Sequence, residues 1–254
     1  MTTKLTLRPA ARARPKQLLR KGNSNLGRDK NVWVFTLPAL YAVLPDGTTV
    51  VTCPQAGTCA LVCYARFGTY TWSNVAPAHV ANLLFVVEDL PGWEAAMRKE
   101  LAAEKFKGAY VRIHDAGDFY QDAYLLAWLR IIRDFPETTF YAYTKEILRI
   151  RGCIDDPGLP ANFITIFSFG GDQDALIDED NDRIGDVFPT EEAVAEAGYA
   201  SQLRSDLDAI SGSRKVGMAA KQRPQALRRQ GARTFREWQR EQDRRRAQLA
   251  GRRG

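Results

Sequence analysis

The sequence predicts an α/β protein in which crossover helices wrap a parallel sheet. Short β-rich runs alternate with helical stretches through the middle of the chain, the signature of βαβ units. Polar residues gather just after the apolar part of each run, where parallel strands would have their carboxyl ends. An apolar content of 45% over 254 residues supplies enough material for a sizeable core.

Each element follows from its own pattern. The segment "KLTLRPAARARPKQLLRKG" has Pro and Arg without a sustained period and reads as an extended or weakly ordered arm. "NSNLGRDKN" is turn chemistry. "VWVFTLP" and "GTTVVTC" are β-rich runs separated by the turn "LPDG". "NVAPAHVANLLFVVEDL" and "GWEAAMRKELAAEKF" carry apolar residues at helical spacing. "GAYVRIHDAGDF" is a strand ending in a polar turn. "YQDAYLLAWLRIIRDF" is the clearest amphipathic helix, with Tyr124, Leu125, Trp128, Leu129 and Ile132 on one stripe. "TTFYAYTK" and "ANFITIFSFGG" are further strands, with the short helix "EILRIRG" after the first. "DALIDEDNDR", "DVFPTEEAVAEAGY" and "SRKVGMAAK" continue the alternation more weakly. The last thirty residues read as a basic helix whose few apolar anchors are Phe235, Trp238 and Leu249.

Charge divides the chain into three expected parts. Residues 1–30 carry nine Lys/Arg against one acid, and residues 221–254 carry twelve against three. The middle, 31–220, has fifteen basic and twenty-six acidic residues. A basic N-terminal arm and a basic C-terminal helix therefore flank an acidic α/β domain. Such ends serve either as solubilising arms or as contacts to nucleic-acid phosphates. No apolar run is long enough to span a bilayer and no signal-peptide pattern opens the chain, so the expected setting is cytoplasmic, without membrane.

Three of the four cysteines, Cys53, Cys59 and Cys63, fall within eleven residues in the pattern Cys-x5-Cys-x3-Cys. A disulfide would leave one unpaired and suits an oxidising compartment. A structural zinc needs four donors, which His79 or Cys153 would complete. A [4Fe–4S] cube takes three thiolates on three irons and leaves the fourth iron open, and Gly57 in "PQAG" lets a loop wrap it. A fourth ligand from His114, Cys153 or a small molecule stays open.

If the strands are parallel, one rim collects His114, Asp115, Asp118, Lys145 and Ser168. These are the candidate catalytic and polar site groups. Gly170 and Gly171 let backbone N–H groups approach a carboxylate or phosphate, and Gly117 would face the cofactor or substrate with Asp115 and Asp118. Each has a plainer alternative. Asp115 to Asp118 would cap the next helix, Lys145 would be a surface lysine, the glycine pair a simple turn, and His114 a satisfied core histidine.

A three-cysteine loop near the start of a partial (β/α) barrel, with Tyr64 beside the third cysteine, resembles the radical S-adenosylmethionine enzymes. That resemblance implies a [4Fe–4S] cluster on Cys53, Cys59 and Cys63. It also implies S-adenosylmethionine held by its methionine amino and carboxylate groups, with "HDAGDF" at the segment that contacts the amino group. The superfamily's usual spacing is Cys-x3-Cys-x2-Cys, where this chain has x5 and x3. The strings "GNSNLG", "TCPQAGTCALVCYARFGTY", "VRIHDAGDFY", "AYLLAWLRI", "FYAYTKE", "IFSFGG" and "DVFPTEEA" resemble the gene product 88 family of actinobacteriophage proteins. This implies a phage origin, a host-cytoplasm location and no particular reaction. Two functions therefore stand: an iron–sulfur protein of unknown substrate, radical S-adenosylmethionine-like chemistry included, and a non-catalytic nucleic-acid or host-protein binding module with a structural zinc or cluster.

Overall fold

The computed structural model describes residues 14–22, 31–153, 158–221 and 223–251. Residues 1–13 of the expected N-terminal arm and most of "GNSNLG" lie outside the described residues.

One eight-stranded sheet organises the domain. Its strands are β1 (Arg20–Lys21), β2 (Val32–Phe35), β5 (Tyr110–Ile113), β6 (Thr139–Thr144), β7 (Phe163–Ser168), β8 (Ile184–Phe188), β9 (Ala200–Ser201) and β10 (Lys215–Ala219). They lie in the order β1-β2-β5-β6-β7-β8-β10-β9. β1 pairs antiparallel with β2, and every other neighbouring pair is parallel. From β2 to β8 the sheet follows chain order without reversal. It is open, with β1 and β9 at its edges. The turn "LPDG" closes a separate hairpin of β3 (Tyr41–Val43) and β4 (Thr49–Val51). The sequence reading missed β3, whose three residues are too few to show a period.

The helices are α1 (Cys59–Val62), α2 (Ala76–Glu88), α3 (Leu90–Leu101), α4 (Asp122–Asp134), α5 (Ile147–Arg151), α6 (Glu191–Glu196), α7 (Pro224–Gln230) and α8 (Phe235–Gly251). The α4 stripe is buried as its spacing requires: Tyr124, Leu125, Trp128, Leu129 and Ile132 all lie in the core. α3 starts where Asp89 accepts from the Gly92 N–H at 2.8 Å, satisfying one orphan donor of the first turn.

The two faces of the sheet are packed differently. Alternation along β5 sends Val111 and Ile113 to one face and Tyr110 and Arg112 to the other. The first face builds the main core with α2, α3 and α4. There Trp93 lies edge-on to Phe35 and Trp128, with ring centroids 5.6 and 5.1 Å apart. The second face has a smaller cluster around Tyr141, Ile166 and Val216, covered by Leu207, Ala209 and Ile210. Arg112 is buried in it. Its Nη1 donates to Asp206 Oδ1 at 2.7 Å, and the Tyr141 hydroxyl donates to the other Asp206 oxygen.

Neither end of the chain stands free where it is described. Leu18 and Leu19 are buried, and their N–H groups donate to the Glu100 carboxylate at 2.7 and 3.2 Å. At the other end, Phe235, Trp238 and Gln239 of α8 are buried, whereas the expected anchor Leu249 is exposed. α8 also neutralises much of its own charge. Arg236 and Arg240 pair with Glu179, Arg246 with Asp172, and Arg233 and Arg245 with Glu241. The acidic middle and the basic end are thus partly complementary surfaces of one body. Among the described residues no helix is long and apolar enough to cross a membrane.

Candidate functional site

The cysteine loop lies across the carboxyl ends of the central strands. Chain direction places β4 just before Cys53, and two sets of backbone bonds tie the loop to the residues after β7. Cys59 N–H donates to the Gly170 carbonyl at 3.0 Å, and Asp172 N–H donates to the Gln55 carbonyl at 3.1 Å. The approach is close enough to require glycine. A Cβ on Gly57 would meet Gly170 O at 2.7 Å, and one on Gly171 would meet Gln55 O at 2.7 Å. Gly57 and Gly170 both have positive φ, at 46° and 92°. α8 closes the arrangement from outside: Gln239 Oε1 accepts from Thr58 N–H at 2.8 Å.

All three cysteines are free thiols and half-buried. Burial pushes the Cys53 thiol far above its ordinary range; the Asp118 charge adds to this, and the Leu40 N–H, 3.3 Å from Sγ, opposes it. Burial, then the neighbouring Cys59, raises Cys63 to about 12, while Arg66 and Lys145 pull it down. Burial thus holds the Cys53 and Cys63 thiols neutral unless a cation joins them. Among the described residues no group of three or more His, Cys, Asp or Glu converges on one point as a single metal ion requires. The expected metal centre is thus not formed as a one-ion cage. His79 packs its ring against Tyr70, 5.8 Å between centroids. Cys153 packs against the main core.

The strand-end residues separate into two groups. Lys145 and Ser168 meet: Lys145 Nζ donates to Ser168 Oγ at 2.8 Å and to its carbonyl at 3.1 Å. His114 does not join them. It is buried against Phe35, Phe119 and Tyr124, and its Nε2 lies 2.7 Å from the Tyr124 hydroxyl. Burial holds its pKa down to about 3, so it is a neutral core histidine. Its φ of 67° turns the chain sharply at the end of β5.

Asp115 and Asp118 are saturated by the protein itself. Asp115 accepts from Thr36 Oγ1 at 2.5 Å and from the Tyr70 hydroxyl at 2.7 Å. Tyr64 donates its hydroxyl to the Asp115 carbonyl. Asp118 accepts from Phe119 N–H at 2.8 Å, Thr144 Oγ1 at 2.6 Å and Lys145 N–H at 2.9 Å, stitching the end of β5 to the end of β6. Gly117, at φ 88°, sits against Leu37, where a Cβ would come within 2.6 Å of that side chain. The N–H groups of Gly170 and Gly171 do hold a carboxylate, but it is that of Asp174, at 2.7 and 2.8 Å.

Sequence reasoning missed Tyr70, Asp174 and Gln239. Gln239 carried a signal, since it stands four residues after Phe235 on the buried stripe of α8. Asp174 and Tyr70 carried none, because their partners are distant in the chain.

Comparison with known proteins places this arrangement. The chain is 31% identical over 114 residues to the Gene 88 protein of Mycobacterium phage D29, a match covering 40% of this chain and 45% of that protein. A second match, also 31% identical over 114 residues, is to the Gene 88 protein of Mycobacterium phage L5 and covers 46% of it. The matched region thus spans about half the length of these curated relatives. No solved structure matches the chain. The family model described as Gene product 88 matches residues 17–250, and the chain belongs to that family.

Proposed function

We propose that Cys53, Cys59 and Cys63 hold a [4Fe–4S] cluster at the carboxyl rim of a partial (β/α) barrel. The observation that carries this reading is three free thiols on one loop, pinned over the strand ends by the Gly57–Gly170–Gly171 contact. A cube takes each thiolate on a separate iron, so its ligands need no common point; a single zinc does. Thiols held neutral by burial become good ligands only as a cation displaces their protons. Winding from β2 to β8 in chain order, parallel throughout, agrees with the barrel reading.

When bound, such a cluster supplies one-electron transfer or a Lewis-acidic iron. Lys145 lowers the Cys63 thiol and donates to Ser168, so it holds positive charge beside an anionic cluster. Asp115 and Asp118 set the rim rather than meet a ligand, which narrows the expected role of "HDAGDF" to positioning. S-adenosylmethionine would then rely on the open iron.

Anaerobic reconstitution with iron and sulfide tests the proposal. Uptake of iron and sulfide with a charge-transfer absorbance, abolished in Cys59→Ala, is the expected result. No uptake, or uptake unchanged in that variant, overturns it. Incubating the reduced protein with S-adenosylmethionine separates the chemistries: its cleavage marks a radical enzyme, and its survival an iron–sulfur protein of another kind.

A further inference from the structure

Beside the cysteine loop the protein exposes an aromatic and cationic rim that its packing does not use. Phe67 and Trp72 are 48% and 58% exposed, and both lie in the turn-rich segment that follows Cys63. The guanidinium of Arg223 lies 4.6 Å from the Phe67 ring centroid, and Lys221 Nζ lies 5.2 Å from that of Tyr64. Arg229 reaches α1 just before that segment, donating to the Leu61 carbonyl at 2.9 Å. Arg66 and Arg228 are exposed.

Residues 47–87 and 209–236, the two segments that meet at this rim, contain no Asp or Glu at all. Arg236, Arg240 and Arg246 of α8 are ion-paired to the domain, but Arg66, Lys221, Arg223, Arg228 and Arg229 form no ion pair among the described residues. Arg223 Nη1 is buried without a hydrogen-bond acceptor. Burial, then Arg112 and Arg223, push Lys221 below the ordinary lysine value and outweigh the opposing pull of Asp115.

We propose that this rim binds single-stranded nucleic acid, with bases stacked on Phe67 and Trp72 and phosphates on Lys221, Arg223 and Arg229. Cations alone would suit any polyanion. Exposed aromatics interleaved with arginine suit unstacked bases, because every base offers a ring face and a duplex hides it. The same rim borders Cys63, so the strand would be the substrate or partner that the cysteine site meets. Only this last step rests on the cluster reading. The proposal also moves the nucleic-acid contact from the whole basic C-terminus to its first nine residues.

Fluorescence anisotropy of labelled 20-mers of single-stranded DNA, single-stranded RNA and duplex DNA, titrated with the full chain across salt concentrations, tests it. Single strands should bind more tightly than duplex, and the DNA and RNA arms show which backbone is preferred. Phe67→Ala with Trp72→Ala should weaken single-strand binding about fivefold or more and leave duplex binding unchanged. Arg223→Gln should reduce the salt slope by about 0.7. Circular dichroism checks that the variants fold; both aromatics are exposed, so the fold should persist. Equal affinity for single strands and duplex, no change in the double variant, or binding only to anionic vesicles overturns the proposal. Strand binding that persists in Cys59→Ala while iron uptake is lost supports this rim whatever becomes of the cluster. Intact iron uptake with no strand binding overturns the rim alone.

Discussion

Two loops reach the same rim, His114–Asp118 and Cys53–Cys63, and their polar atoms have opposite fates. In the first, each carboxylate oxygen of Asp115 and Asp118 already accepts a hydrogen bond from the protein, and His114 faces an aromatic core. In the second, backbone atoms are bound while the three cysteines form no disulfide, Cys53 Sγ accepting only a long bond from Leu40 N–H at 3.3 Å. A buried polar group whose partners are internal is scaffold, because taking a ligand would break bonds it already has. On the proposed function the cysteine loop carries the chemistry, and the strand-end loop holds it in place.

Four substitutions sharpen or break that contrast. The largest effect is expected at Asp118→Ala, which strands two backbone N–H donors and a hydroxyl in the interior and should cost about 3–5 kcal/mol by urea unfolding. Reconstitution per folded molecule should be unchanged; a folded variant that takes up no iron would make Asp118 part of the site. Gly170→Ala comes next, at about 2–4 kcal/mol, since its φ is positive and the new Cβ would lie 2.8 Å from Phe235 Cδ2. This change should also lower iron uptake, because Gly170 carries the bond to Cys59.

The third is a pH effect. The unfolded chain protonates His114 near 6.5, whereas the folded chain resists until about 3. The unfolded state thus binds the extra proton between those values, and stability falls as pH drops through that window, by about 1.4 kcal/mol per pH unit. Comparing urea midpoints of wild type and His114→Gln from pH 7 to 4 should show this slope only with histidine. A matching slope in both would place the titration elsewhere. The smallest effect is Tyr70→Phe, about 1 kcal/mol by thermal or urea unfolding, because Asp115 keeps its bond from Thr36.

Much of this was legible in the sequence, for local reasons. The α4 stripe, the parallel strands and the rim that gathers Lys145, Ser168 and the cysteines all follow from period and chain order. The cap alternative for Asp115–Asp118 fails, since α4 has no side-chain cap and their partners include Thr36, Tyr70, Thr144 and Lys145. What was not legible is which face a strand-end side chain takes. Both faces of β5 are covered by protein, so apolar alternation gives no direction for His114.

The sequence by itself determined the α/β alternation, the cysteine spacing, the division of charge and the absence of acids from residues 47–87 and 209–236. These are properties of neighbours along the chain, set by side-chain chemistry and period. The tertiary structure alone decided that Arg236, Arg240 and Arg246 of α8 dock on the acidic domain, that Asp174 fills the glycine pair and that Arg223 lies over Phe67. Those outcomes depend on which distant groups meet, and saturation of a polar atom exists only once its partner is in place.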